Sequence, residues 1–138
     1  MLGNHMTARF GTTRLRCGHV LGVTLSSDDR LLACGSTNGA VIYKASTGKE
    51  LLRVGRGRID AVALSPNRKA LALATHKGSL ELYDLAEGQR RIVLQHGAPV
   101  HSLRWSPEGS RLASAGKDKA LLWDLATKES IWEATGHV

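Results

Sequence analysis

Val62-Ala63-Leu64-Ser65-Pro66 has two counterparts in the same chain, Val23-Thr24-Leu25-Ser26-Ser27 and Leu103-Arg104-Trp105-Ser106-Pro107. Their first residues stand 39 and 41 positions apart. A second marker lies upstream of each: Gly18, Gly57, Gly97 and Gly136 step by 39, 40 and 39. Two independent markers with one period define an internal repeat. A period near forty residues belongs to a small supersecondary unit that must stack on its neighbours to bury an apolar face.

The middle unit shows what each repeat contains. Ile59 to Leu64 reads as a strand, and Ser65-Pro66-Asn67-Arg68 as a turn. Ala70 to Ala74 is the next strand, with Leu71 and Leu73 alternating as on a half-buried sheet. His76-Lys77-Gly78 turns the chain, and Leu80 and Leu82 alternate again. Ala86-Glu87-Gly88-Gln89 then leads into Arg91 to Gln95. Four short strands joined by Gly-, Pro- or Ser-bearing turns predict an antiparallel meander. No stretch of the chain carries a helical period.

Leu122-Trp123-Asp124 closes the third strand of unit three, Gly18-His19 and Gly136-His137 open units, and Leu112 to Asp118 forms a strand and tight turn. In these residues the chain resembles the WD-repeat family over residues 12–138. The resemblance implies an all-β fold of three four-stranded antiparallel propeller blades, with units at 18–56, 57–96 and 97–135. Residues 1–11 read as an N-terminal tail or cloning scar. The family's buried hydrogen-bond network joins a histidine, a Ser or Thr, an Asp and a Trp within a blade. Carried over, its members here are His19 in unit one and Ser114, Asp118 and Trp123 in unit three, where Ala98 stands near the histidine's place. Unit two has Arg58, Leu73, Lys77 and Tyr83 there, so its blade is expected to hold by apolar packing. Asn38 to Tyr43 and Asp118 to Trp123 span five steps where Lys77 to Tyr83 spans six. The turn before the third strand is expected to absorb that difference.

Composition narrows the function. Hydrophobic residues make up 42% and charged residues 22%, which fits a globular chain. No apolar run is long enough for a membrane helix, and the N-terminus lacks a signal-peptide pattern. Cys17 and Cys34 share no metal or redox spacing and read as reduced thiols of a cytoplasmic protein. The six histidines do not stand at ligand spacing with Cys, Asp or Glu, although His96 and His101 flank one turn. No nucleophile–base pair or phosphate loop is evident, so no enzyme activity, metal or cofactor is expected. The 19 basic residues against 12 acids, with Arg53, Arg56, Arg58, Arg90 and Arg91 near one another in the repeat register, support one alternative, a nucleic-acid-binding surface. Against it stands an aromatic content of only 4%, since single-stranded nucleic acid is usually held by stacking as well as charge.

By resemblance, the expected role is a non-catalytic scaffold for protein or peptide partners. Such partners usually dock where the loops enter the first strand and join the second to the third. Here that face would present Leu21, Asp60 and His101 from first-strand starts, and Thr37, His76 and Lys117 from the turns. Three blades cannot close a ring, whereas two chains supply six, so a two-fold homodimer is expected. Thr12 to Cys17 and Ser130 to Ala134 then compete for one fourth-strand place at the junction. A further reading is that the chain is an excised piece of a longer propeller, because a fourth unit would begin at Gly136.

Overall fold

The computed structural model describes residues 19–135. The tail, the strand expected at 12–17, Cys17 and the closing Gly136-His137 pair lie outside the described residues.

Twelve strands are arranged as three meanders. Sheet one comprises β1 (Val20–Leu25), β2 (Leu31–Ser36), β3 (Gly39–Lys44) and β4 (Lys49–Val54). Sheet two comprises β5 (Ile59–Leu64), β6 (Ala70–Thr75), β7 (Ser79–Asp84) and β8 (Arg90–Gln95). Sheet three comprises β9 (Val100–Trp105), β10 (Arg111–Gly116), β11 (Lys119–Asp124) and β12 (Glu129–Thr135). Each sheet is antiparallel and follows chain order, with no crossover. Among the described residues there is no helix.

The serine of the repeat marker builds the first turn of each blade. Ser26 Oγ accepts from the backbone N–H of Leu31 at 2.9 Å and donates to Asp28 Oδ1 at 2.6 Å. Ser65 Oγ accepts from Ala70 N–H at 3.0 Å and donates to Asn67 Oδ1 at 2.6 Å, and Ser106 Oγ accepts from Arg111 N–H at 3.0 Å. Ser26 and Ser65 are buried, so these bonds satisfy polar groups that water does not reach. The residue-count difference before the third strand is absorbed in the turn. Ser36 pairs with Gly39 around a two-residue turn in sheet one, while Ala74 pairs with Leu80 around a longer loop in sheet two.

The sheets stack through their first strands, with β5 between β1 and β9. Alternation along β5 to β7 divides the middle sheet between two cores. Ile59, Val62, Leu64, Leu71 and Leu73 pack with Ala33, Ala40 and Ile42 of sheet one. Ala61, Ala72, Ala74, Leu80 and Leu82 pack with Val100, Leu103, Leu112 and Trp123 of sheet three. The half-buried reading of β6 is therefore corrected. Leu71 and Leu73 do alternate, but the intervening Ala72 and Ala74 are just as inaccessible, because a second sheet covers that face. Trp105 Nε1 donates to the Ala63 carbonyl at 2.9 Å and ties sheet three to sheet two.

Candidate functional site

Each first strand carries one residue more than its ladder needs. In β1, Val20 pairs with Ser36 and Gly22 with Gly35, leaving Leu21 between them. In β5, Ile59 pairs with Thr75 and Ala61 with Ala74, leaving Asp60. In β9, Val100 pairs with Gly116 and Ser102 with Ala115, leaving His101. These are three β-bulges in the same repeat position, and a bulge re-aims the side chain of its extra residue. The extra residues are the three that the first-strand starts were expected to present.

Around them lies a cleft of about 330 Å³. Leu21, Asp60, His76, His101 and Lys117 all line it, joined by Arg58, Pro99 and Val100. Thr37, the sixth residue expected on this face, does not line the cleft. It is half-buried, and its Oγ1 accepts from the backbone N–H of His19 at 3.3 Å. Its own N–H donates to the His19 carbonyl at 3.2 Å, a bond matched in blade two by His76 N–H to the Arg58 carbonyl at 3.0 Å.

Asp60 anchors the cleft. Its carboxylate, 13% exposed, accepts from Arg58 Nε at 2.8 Å on one oxygen and lies 2.9 Å from His76 Nδ1 on the other. Burial is the largest single influence on this carboxyl and pushes its pKa up. The hydrogen bonds from His76 and Arg58, with their charges, together outweigh burial and hold it below the ordinary carboxylate range. Asp60 is thus ionised at neutral pH and orients two basic side chains at the mouth.

Of the basic residues singled out in the sequence, Arg53, Arg56 and Arg90 line one cleft, but most of the set is already paired with acids. Arg53 bonds Glu50 at 2.7 Å, Arg58 bonds Asp60, Arg90 lies 3.5 Å from Glu81, and Arg91 bonds Asp84 at 2.7 Å. His96 and His101 do not converge either, since His96 is buried while His101 is exposed on its bulge. Among the described residues, no group of three or more His, Cys, Asp or Glu is placed to hold a metal.

The buried polar network of sheet three contains a histidine, although by family spacing Ala98 stands near its place. Ser114 Oγ accepts from Trp123 Nε1 at 3.0 Å and lies 2.8 Å from His96 Nδ1. His96 and Ser114 are each 1% exposed and Trp123 is 7% exposed. The histidine thus comes two residues before Ala98. The backbone N–H groups of His96 and Gly97 both donate to the Gly78 carbonyl, at 2.9 and 3.2 Å. That pins the linker at residue 96, where the ring turns inward. Asp118 is exposed in the two-residue turn and His19 is exposed beside Thr37, so neither belongs to this buried set. Blade two has instead a local pair, Thr75 Oγ1 and Ser79 Oγ at 2.8 Å.

Residues 62–135 match the family described as the anaphase-promoting complex subunit 4 WD40 domain, and residues 12–43 match the WD domain, G-beta repeat. The small ribosomal subunit protein RACK1z of Oryza sativa subsp. japonica is 39% identical over 75 residues, which are 54% of this chain and 22% of that protein. The histone-binding protein MSI1 of Saccharomyces cerevisiae is 31% identical over 121 residues, covering 80% of this chain and 29% of that protein. The chain therefore spans less than a third of the length of these relatives. Among solved structures, Kuenenia stuttgartiensis hydrazine synthase superposes with a TM-score of 0.77 at 18% identity, over 88% of this chain and 37% of that one, a likeness of fold. Since the subunit 4 WD40 match alone covers more than half of a chain built from three stacked four-stranded meanders, the chain belongs to the WD-repeat β-propeller family.

Proposed function

We propose that the chain is a non-catalytic protein-interaction scaffold that receives a protein or peptide on the cleft between Leu21, Asp60, His76, His101 and Lys117. The observation that carries this reading is the bulge repeated at the same position of all three first strands. It places three side chains, none needed by the ladders, around one opening. The relatives named above as a histone-binding protein and a ribosomal subunit protein lend support, because one name describes binding to a protein and the other membership of an assembly. The setting we assign is the cytoplasm, in keeping with the reduced-thiol reading of the two cysteines.

Selection from a displayed peptide library tests this. Peptides enriched on the chain should lose binding roughly tenfold or more to a Leu21→Glu, His101→Ala double variant, as loss of a buried contact at a small interface implies. Enriched peptides that bind the double variant equally well would overturn the assignment of the face.

Self-assembly is a second part of the proposal. The outer faces of the end sheets carry apolar side chains, with Val23 62% and Leu25 50% exposed on sheet one and Trp132 60% exposed on sheet three. The first two strands of the middle sheet are buried on both faces against neighbours. We assign the same fate to the end sheets, through a second copy that completes a six-bladed ring.

A further inference from the structure

In an up-and-down meander, alternate turns fall at opposite ends of the sheet. The turns joining first to second and third to fourth strands therefore lie on the face away from the Leu21–His101 cleft. There a groove of about 780 Å³ opens between sheets one and two. Its lining is mostly aliphatic, with Leu31, Ile42, Leu52 and Leu85 beside the carboxylate of Asp84, and Leu51 stands at the mouth, 48% exposed. Leu51 is there because β4 has its own bulge. Leu52 pairs with Ile42 and Glu50 with Tyr43, so Leu51 belongs to no ladder pair. At the same place in sheet two the extra residue is Arg91, tied to Asp84.

The rim is cationic. Arg68 and Lys69 come from the turn between β5 and β6, and an adjoining hollow of about 480 Å³ shares Leu31, Leu51, Arg68 and Lys69 while adding Arg30 and Lys44. The nearby acids are already engaged. Asp28 holds Arg68 at 2.7 Å and Arg30 at 3.7 Å, and Asp84 holds Arg91 at 2.7 Å. Lys44 and Lys69 have no ion-pair partner among the described residues.

We propose that this groove is a second docking site, for a partner segment that inserts a large aliphatic side chain and flanks it with carboxylates. Leucine packs on the aliphatic lining, and Lys44 and Lys69 answer the carboxylates. Charge complementarity argues against the chain's own segments as the occupant. Residues 1–18 contain three arginines and no acid, and the whole chain carries +7. An acidic, leucine-bearing segment of a different protein satisfies both the lining and the rim.

Fluorescence anisotropy tests it with the full chain and a fluorescein-labelled synthetic peptide that carries two leucines among glutamates. Two control peptides replace glutamate by lysine and leucine by alanine. The leucine–glutamate peptide should bind saturably and weaken with salt. Leu51→Glu and Lys69→Glu should each cost roughly tenfold in affinity or more, and Lys69→Glu should gain affinity for the lysine peptide. Both positions are exposed, so thermal melts of the variants should match the parent. The Leu21→Glu, His101→Ala variant should bind this peptide unchanged, which separates failure of this site from failure of the opposite cleft. Absence of saturable binding, equal binding of the alanine peptide, or indifference to Leu51→Glu would each overturn the proposal. So would displacement of the peptide by a single-stranded RNA whose own binding ignores Leu51, since that is a polyanion effect.

Discussion

Trp123 and His96 reach the Ser114 hydroxyl from separate segments, so one small side chain joins β10, β11 and the linker after β8. Removing the indole leaves a cavity and an unmet hydrogen-bond position at once. Trp123→Ala should lower unfolding free energy in urea by about 3–5 kcal/mol. Lys77→Ala, at an exposed turn, should change it by less than about 0.5 kcal/mol, and equal losses would contradict the network. His96 adds a pH dependence. Burial, and after it the charge of Lys119, lowers its pKa below the ordinary imidazole value. The folded state then binds fewer protons than the unfolded one. Its contribution is complete above the ordinary histidine pKa and is lost as pH falls through the folded value. Between about pH 7 and pH 5, stability should fall with a slope that His96→Gln reduces. Ser114 and Trp123 were legible from their place in the repeat, but His96 was not. Counting by family spacing leads to Ala98, and nothing in the sequence shows that the Gly78 carbonyl pins the linker two residues earlier.

Turns and strands set the next scale. Gly78 closes the β6–β7 turn at φ +94°, and a Cβ there would lie 2.7 Å from the backbone nitrogen of Ala98. Gly57 also has a positive φ, +68°, but a Cβ on it would meet nothing within 4 Å. Both substitutions by alanine carry the left-handed backbone penalty, on the order of 1 kcal/mol. Only Gly78→Ala also pushes on the backbone of the linker between the second and third sheets. Its melting temperature should therefore fall clearly further than that of Gly57→Ala, and equal drops would show that the close approach to Ala98 carries no strain. Strand positions were readable because apolar alternation and turn residues coincide, as at Ile59–Leu64, which the sequence predicts residue for residue. The second buried face of β6 was not readable, since Ala72 and Ala74 are too small to mark a face as apolar. The bulges left no trace either. Leu21, Asp60 and His101 share no chemistry, and an extra residue shows only when both strands are aligned.

For the whole molecule, the decisive quantity is the number of chains that share the exposed end sheets. Light scattering at micromolar concentration should give twice the chain mass, and Trp132→Glu should return the mass to that of one chain by placing a carboxylate on the sheet-three face. A stable, well-folded monomer of the parent chain would exclude the six-bladed ring, and a mass of three chains would replace it with a different assembly. The expectation of closure rests on the repeat count and stands or falls with that mass, whereas the groove on the opposite face was not legible in the sequence, because it depends on where a bulge turns Leu51. The three first-strand bulges bear on descent as well as on the docking proposed for them. A residue outside the ladder can be exchanged without renegotiating the pairing on either side. Leu21 and His101 can then drift under selection for a new partner, and Asp60 can follow together with Arg58 and His76, while the blades that carry them are inherited intact. A lineage of such chains would keep its architecture and change its clientele.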